Sequence, residues 1–348
     1  MITEGNSTIV NCQLSTVNFA RQSDKYQFTK KRGEETMRYY FAPMEGLTDS
    51  IYRRLHHQYF SGVDTYYMPF ISPTVHRALT NREAREVPMA DSVPFRAVPQ
   101  LMTKVAEDFI WAAGECRRRG YDEVNLNTGC PSGTVVAKKK GAGMLEDLDA
   151  LDRFLDAVFE GSPLPVSVKT RLGLSDPDEF PRILEIYNRY PIKELTIHPR
   201  VRKQFYDGDV DMEMFDYALK NSKNKLCYNG NLRNLTEVNA FREKYPGIEA
   251  VMIGRGLIGN PGMLETGSGE KLEAFHDALL EEYMVAFGGA RNAIFRMKEN
   301  WREMILMFDG NEKLWKKLRK CTDVAEYRRL THEIFRTLPR HEELQADW

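Results

Sequence analysis

Residues 123–131 read EVNLNTGCP, and this stretch decides how the fold is interpreted. Its first part, Glu123 to Asn127, has the length of a buried strand, and its second part is a constrained turn in which Gly129 and Pro131 flank Cys130. Similar apolar runs recur from Tyr39 to about Gly259 and alternate with amphipathic stretches of helical length. This alternation predicts repeated βα units and a parallel sheet. The eight runs are Tyr39 to Met44, Thr65 to Phe70, Phe95 to Leu101, Glu123 to Asn127, Val166 to Thr170, Glu194 to His198, Lys225 to Asn229 and Ala250 to Gly254.

Polar residues cluster where each apolar run ends. Active sites of (β/α)8 barrels are built from the loops at the carboxyl ends of the strands, so this clustering favours a closed TIM barrel. A doubly wound open sheet gives a similar alternation, and periodicity alone does not separate the two folds. The clusters are Met44-Glu45-Gly46, Gln100, Asn125 to Cys130, Lys169 to Arg171, His198 to Arg200, Asn229-Gly230-Asn231 and Gly254-Arg255-Gly256.

The strand pattern stops near Glu270, and the remaining apolar residues are spaced as in packed helices. We therefore predict a barrel over residues 37–265 and a small all-α domain over residues 270–348, joined by the short segment Thr266-Gly267-Ser268-Gly269. The apolar residues of the second domain include Leu280, Tyr283, Met284, Ile294, Met297, Trp301, Met304 and Ile305.

Residues 1–36 are polar and irregular, without the apolar core of a signal peptide, and we predict that they are disordered. Arg32-Gly33-Glu34-Glu35 back-translates to a purine-rich stretch just ahead of Met37. This resembles a bacterial ribosome-binding site, so one hypothesis is that translation begins at Met37. The intact mass of the protein from its native host tests that hypothesis.

Composition restricts the class of protein. No stretch approaches the roughly 18 uninterrupted apolar residues of a membrane span. The five cysteines are scattered, without a CxxC pair or zinc-type Cys/His spacing, which fits a cytoplasmic protein without a metal site. The net charge is -1, but residues 291–340 carry thirteen Lys and Arg against seven Asp and Glu, so the C-terminal part is the basic part. We expect a monomer.

Three groups of residues are candidates for chemistry. The two glycine-containing turns after the last two strands, Asn229 to Asn231 and Gly254 to Gly256, lie where many barrels bind a phosphate, although each alone is also an ordinary turn. Lys169 ends an apolar strand, and an inward-facing lysine needs a partner such as an anionic ligand. Cys130 is either a small buried apolar residue or, at a strand end, a thiol that donates a proton at neutral pH.

Other polar residues have simpler interpretations. Lys138-Lys139-Lys140 is either a solvated charge run or a phosphate contact for a polynucleotide, with neither interpretation favoured. His56 and His57 are interpreted as residues on the surface of a helix.

Five motifs in order resemble those of tRNA-dihydrouridine synthases, over about residues 38–340. The resemblance implies an FMN-dependent barrel, a C-terminal helical domain that binds tRNA, and reduction of the C5=C6 bond of uridine after NADPH or NADH has reduced the flavin. No Gly-rich dinucleotide fingerprint follows the first strand, so the nicotinamide would react directly over the FMN. The motifs are Ala42-Pro43-Met44-Glu45-Gly46-Leu47-Thr48-Asp49, Asn127-Thr128-Gly129-Cys130-Pro131, Ser167-Val168-Lys169-Thr170-Arg171-Leu172-Gly173, Thr196-Ile197-His198 and Met252-Ile253-Gly254-Arg255-Gly256.

The resemblance also implies roles for individual residues. Cys130 matches the proton donor to uracil, and Asn127, Lys138 and Arg171 are candidates for substrate binding. The residues implied at the FMN are Pro43, Met44, Glu45, Gln100, Lys169 and His198 around the ring, and Asn229, Gly230, Asn231, Gly254 and Arg255 at the phosphate.

The sequence departs from the family pattern at two places. Ser132-Gly133-Thr134 follows the Cys-Pro pair where many members have lysines, and His198-Pro199-Arg200 replaces the commoner His-Gly-Arg. Two alternatives remain: an FMN barrel oxidoreductase acting on a small molecule, such as a dihydropyrimidine or dihydroorotate dehydrogenase, and a non-catalytic RNA-binding protein. The basic C-terminal part disfavours the first, and Cys130 with Lys169 disfavours the second.

Overall fold

The computed structural model describes residues 37–73, 76–265 and 267–341. The disorder predicted for residues 1–36 and the hypothesis of a start at Met37 concern a segment outside the described residues. The predicted linker is described only in part, because Thr266 lies outside these ranges, and the division into two domains stays a prediction.

Nine parallel strands form one sheet in the order β3-β2-β1-β9-β8-β7-β6-β5-β4. Eight apolar runs account for nine strands because the third run is divided at Pro99, which has no N–H to donate. Its first half pairs with β2 and its second half with β5, so this run closes the ring. The predicted closed barrel is confirmed. The strands are β1 (Arg38–Phe41), β2 (Thr65–Tyr67), β3 (Ala97–Val98), β4 (Gln100–Leu101), β5 (Val124–Thr128), β6 (Val166–Arg171), β7 (Leu195–His198), β8 (Leu226–Tyr228) and β9 (Ala250–Ile253).

Helices follow the strands and cover the outside of the barrel. Several begin at a side chain that caps the first turn: Asp147 accepts from the Ala150 N–H, and Asn234 accepts from the Glu237 N–H. The helices of this part are α1 (Ser50–Tyr59), α2 (Asn81–Glu86), α3 (Ala106–Arg118), α4 (Gly133–Val136), α5 (Leu148–Gly161), α6 (Phe180–Tyr187), α7 (Met212–Asn221), α8 (Leu235–Lys244) and α9 (Arg255–Gly259).

The alternation of side chains along the strands gives two cores. Outward residues such as Val124, Leu126 and Val168 pack against the helices. A small inner cluster around Cys227 and Met252 fills part of the barrel lumen, and the rest of the lumen is polar. The upper part of the lumen is therefore lined by groups able to bind a ligand.

Four helices follow the barrel: α10 (Gly269–Ala286), α11 (Ala290–Met304), α12 (Glu312–Leu318) and α13 (Val324–Thr337). The indole of Trp301 on α11 is buried against His276 of α10 and Phe335 of α13, and Trp301 is one of the apolar residues whose spacing predicted packed helices. Helix α10 also packs on α1, and α11 on α9. Arg296 of α11 donates to the Gly46 carbonyl in the loop after β1, so the C-terminal helices are anchored at the strand-end face of the barrel.

The prediction that His56 is a surface residue is wrong. Its ring is fully buried. Nδ1 lies 2.8 Å from the Tyr66 hydroxyl oxygen, and Nε2 lies 2.9 Å from the Pro261 carbonyl oxygen. Because a carbonyl only accepts, Nε2 carries the proton and Nδ1 accepts from Tyr66. Helix α10 covers α1, and Phe275 of α10 contacts the His56 ring edge-on. The spacing of residues along α1 does not show that another helix covers its outer face.

In the described ranges, no helix combines the length and apolar character needed to cross a bilayer. The same residues contain no group of three or more His, Cys, Asp or Glu placed to hold a metal ion.

Candidate active site

A cavity of about 440 Å³ opens at the carboxyl ends of the strands. This is within the usual size range of cofactor and substrate sites. Among its lining side chains are four cations, Lys169, Arg171, Arg255 and Arg302, against the two carboxylates of Glu45 and Glu303. The cavity therefore favours an anionic ligand.

Cys130 lies in a turn that its neighbours hold on two sides. The Asn127 Oδ1 accepts from the backbone N–H groups of Gly129 (3.1 Å) and Cys130 (2.9 Å), and Arg171 Nε donates to the Gly129 carbonyl (2.9 Å). Gly141, with φ of +55°, packs so closely that a Cβ there would lie 2.9 Å from the Cys130 Cβ. The thiol is half-buried, and burial raises its pKa above the ordinary value, with Arg171 and Lys169 acting in the opposite direction. At neutral pH Cys130 is a protonated thiol.

Lys169 is a cavity residue whose charge depends on what lies beside it. Lys169 lines the cavity, and its Nζ makes no hydrogen bond or ion pair with any of the described residues. Burial, together with the charge of Arg171, lowers its pKa from 10.5 to about 7. An anionic atom in the cavity would restore the charge, because an opposite charge nearby favours the ionised form.

His198 is held in one tautomer. Its Nε2 lies 3.1 Å from Arg200 Nη1, and since an arginine only donates, Nε2 accepts and Nδ1 carries the proton. Burial lowers the pKa of His198 well below its usual range, and the nearby cations Arg171 and Lys169 lower it further. The ring is thus a neutral hydrogen-bond donor at the cavity wall.

The two glycine-containing turns lie side by side at one end of the cavity. Asn231 Oδ1 accepts from Arg200 Nη2 (3.1 Å) and Arg255 Nη2 (3.4 Å), which places two guanidinium groups around one turn. Close packing explains why both turns contain glycine. A Cβ on Gly256 would lie 2.3 Å from the Leu232 carbonyl oxygen, and a Cβ on Gly230 would lie 1.9 Å from the Tyr228 hydroxyl oxygen. Close packing of these loops requires glycine whether or not a phosphate binds there.

The structure brings together nearly all the residues that the sequence singled out. Two lie elsewhere: Gln100 is fully buried beneath the cavity, bonded to Asn125 and Asn127, and Lys138 is exposed on the surface. The roles assigned to individual residues stay predictions. The residues at the cavity wall are Pro43, Met44, Glu45, Asn127, Cys130, Lys169, Arg171, His198, Asn229, Gly230, Asn231, Gly254 and Arg255.

Sequence reasoning missed several cavity residues. Tyr206 is exposed at the mouth, with the guanidinium carbons of Arg171 and Arg255 each 5.3 Å from its ring centre. The adjacent aromatic pair Phe205-Tyr206, in the polar loop after β7, is a signal that could have identified it. Arg302 and Glu303 come from α11, far along the chain, and no local pattern marks them.

The profile of the family "Dihydrouridine synthase (Dus)" matches residues 40–347 of this chain. The chain belongs to the dihydrouridine synthase family. The family match spans the barrel and the C-terminal helices together, so the residues of α11 at the cavity wall lie within the family's common region.

Individual relatives agree with the family assignment. The "Probable tRNA-dihydrouridine synthase" of Staphylococcus aureus (strain COL) is 28% identical over 312 residues, which cover 84% of this chain and 92% of that protein. The protein of the same description from Rhizobium leguminosarum bv. phaseoli is 28% identical over 262 residues, covering 73% and 80%. Among solved structures, morphinone reductase in complex with tetrahydroNAD aligns with a TM-score of 0.47 at 13% identity, covering 68% of this chain and 86% of that one.

Proposed function

We propose that this protein is a tRNA-dihydrouridine synthase that reduces the C5=C6 bond of particular uridines in tRNA, using FMN and NADPH or NADH. The observation that carries the proposal is the position of the Cys130 thiol, which is held in a fixed turn at the wall of a cationic cavity. A reduction of this bond needs a hydride at C6 and a proton at C5. Membership of the dihydrouridine synthase family supports the choice of substrate.

The cavity fits FMN. Lys169 is a cation without a hydrogen-bond partner in the described structure, and His198 presents a neutral N–H, so both suit the polar edge of a flavin ring. The turns around Asn231 and Arg255 would take the phosphate, and Pro43, Met44 and Glu45 would lie against the ring. When bound and reduced by the nicotinamide, FMN supplies the hydride.

Cys130 would transfer its proton to C5 of the uracil. The step leaves a thiolate, and Lys169 and Arg171 lie close enough to lower the pKa of that thiol, so they stabilise its charge until solvent restores the proton. Arg171 also fixes the turn through the Gly129 carbonyl. Asn127 and Arg171 therefore hold the turn of the proton donor, and both line the cavity in which the uracil would lie.

A uridine must leave the RNA stack before its C5 and C6 atoms reach such a cavity. Tyr206 provides an exposed aromatic face at the mouth, flanked by Arg171 and Arg255, and aromatic and guanidinium planes both stack on unpaired bases. The surplus of Lys and Arg over residues 291–340 supplies cations for the phosphate backbone. We further propose that the protein acts on tRNA as a monomer in the cytoplasm.

The proposal is tested by expressing the chain in a strain that lacks dihydrouridine and mapping the modified base in its tRNA. We expect dihydrouridine to return with this chain and not with Cys130→Ala. Restoration by a control synthase but not by this chain would contradict the proposal. Turnover of free uracil without tRNA modification would instead favour a small-molecule reductase.

A further inference from the structure

A row of polar side chains runs through the barrel lumen, and its lower end is a buried carboxylate. Glu123 Oε2 accepts from Lys193 Nζ (2.5 Å) and Arg96 Nη2 (2.9 Å). Its other oxygen, Oε1, accepts from the Ser167 hydroxyl (2.7 Å), and Ser167 Oγ accepts in turn from Asn125 Nδ2 (3.0 Å). Ser167 and Asn125 are completely buried, so these bonds are not shared with bulk water.

The upper end of the same row is the turn of the candidate active site. Gln100 Nε2 donates to Asn125 Oδ1 (2.8 Å), and Gln100 Oε1 accepts from Asn127 Nδ2 (2.8 Å). Asn127 Oδ1 then accepts from the backbone N–H groups of Gly129 and Cys130. We call Glu123, Ser167, Asn125, Gln100 and Asn127 the interior polar row.

The two ends of the interior polar row impose the same direction on every bond between them. A carboxylate paired with two cations only accepts, so the Ser167 hydroxyl must donate to Glu123 and must accept from the Asn125 amide. At the other end a backbone N–H only donates, so Asn127 must present Oδ1 to the turn and its NH₂ to Gln100. The orientation of each amide therefore follows from the chemistry of both ends and is not a free choice.

We propose that Glu123, Ser167 and Asn125 are positioning residues for Cys130, which hold its turn through the fixed orientation of the Gln100 and Asn127 amides. If any link is removed, the lower end no longer fixes the amides above the break, and Asn127 is held to the Cys130 N–H from the upper end alone. The turn would lose part of its support on one side. The positioning itself is a property of the fold; its catalytic consequence rests on the proposed function.

The experiment measures the reactivity of the Cys130 thiol in the purified flavin-containing protein. Wild type, Ser167→Ala, Asn125→Ala and the double variant are treated with iodoacetamide, and alkylation is followed peptide by peptide by mass spectrometry. One net hydrogen bond corresponds to about fivefold in an equilibrium, and we expect each single variant to alkylate Cys130 about fivefold faster. The double variant should alkylate Cys130 no faster than either single variant, because both substitutions interrupt the same interior polar row.

A matched control is Thr196→Val, which removes a buried hydroxyl of the neighbouring strand β7 that is not part of the interior polar row. It should leave the Cys130 rate unchanged. General loosening of the fold would also accelerate alkylation of the buried thiols Cys116 and Cys321. Faster alkylation of Cys130 alone supports the positioning role, and faster alkylation of all three thiols overturns it. Unchanged Cys130 rates in both single variants also overturn it.

The catalytic consequence is measured separately. In Ser167→Ala we expect kcat for tRNA reduction to fall with little change in KM, while NAD(P)H oxidation by the flavin is kept. If wild type reduces no tRNA but the variants still change Cys130 alkylation, the proposed function fails and the positioning stands. If wild type reduces tRNA and the variants match it in both Cys130 alkylation and tRNA reduction, the positioning role is contradicted and the proposed function stands.

Discussion

The charge of Lys169 gives a prediction that can be worked out from the structure in detail. Burial, with Arg171 nearby, lowers its pKa from 10.5 to about 7 in the folded protein, whereas the unfolded chain keeps the ordinary value. Between these two pH values the unfolded state binds one more proton than the folded state. The free energy of unfolding therefore rises with pH through this window, at up to about 1.4 kcal/mol per pH unit.

Lys169→Met isolates this contribution, because methionine is of similar length and does not titrate. We expect the difference in free energy of unfolding, wild type minus variant, to rise by roughly 2.5 kcal/mol between pH 8 and pH 10. The assay is urea unfolding of cofactor-free protein at several pH values, in which the groups common to both proteins cancel. With saturating FMN the slope should become smaller, since a hydrogen-bond acceptor on the ring edge beside Nζ favours the charged lysine and raises its pKa. Parallel stability curves for the two cofactor-free proteins would refute the reasoning.

Three further predictions concern other residues. Cys130→Ala should retain bound flavin and NAD(P)H oxidation but lose most tRNA reduction, and equal loss of both half-reactions in stopped-flow assays would argue against a proton donor. Gly256→Ala places a Cβ 2.3 Å from the Leu232 carbonyl and should lower the free energy of unfolding by about 1–3 kcal/mol, whereas Gly247→Ala, with open space around it, should show no comparable loss in the same melts. Burial lowers the pKa of His56 from 6.5 to about 3, so stability should fall by about 1.4 kcal/mol per pH unit as pH drops from 6.5 towards 3; a wild-type pH slope matched by His56→Gln would contradict this.

Much of the fold and of the site was predictable from local pattern. Parallel strands bring their carboxyl ends to one face, so the polar residues that end each apolar run, from Met44 to Arg255, could be expected to meet. Most of them do meet, at the wall of one cavity, whereas Gln100 does not line it. The flanking Gly129 and Pro131 likewise indicated a fixed turn for Cys130, which the hydrogen bonds from Asn127 and Arg171 now explain.

Gln100 shows where local pattern stopped being sufficient. The sequence placed it correctly at a strand end, but its depth depends on how the run around Pro99 joins both β2 and β5. The structure buries it, and both ends of its amide are already bonded to Asn125 and Asn127 of the neighbouring strand β5. His56 is the corresponding case in a helix, since its burial depends on α10, which lies more than 200 residues away in the chain.

The sequence by itself determined the alternation of strands and helices and therefore the parallel sheet, because this pattern is a property of neighbouring residues and the burial of apolar side chains enforces it. Closure of that sheet into a barrel was decided by the tertiary structure, in which the third run pairs with both β2 and β5. The sequence also determined which strand ends carry reactive groups. Only the tertiary structure decided how those groups are tuned: the burial that lowers the pKa of Lys169, the contribution of Arg302 and Glu303 to the cavity, and the interior polar row that joins Glu123 to the turn of Cys130. Each of these depends on strand register and helix packing between residues distant in the chain, which spacing along one segment does not specify.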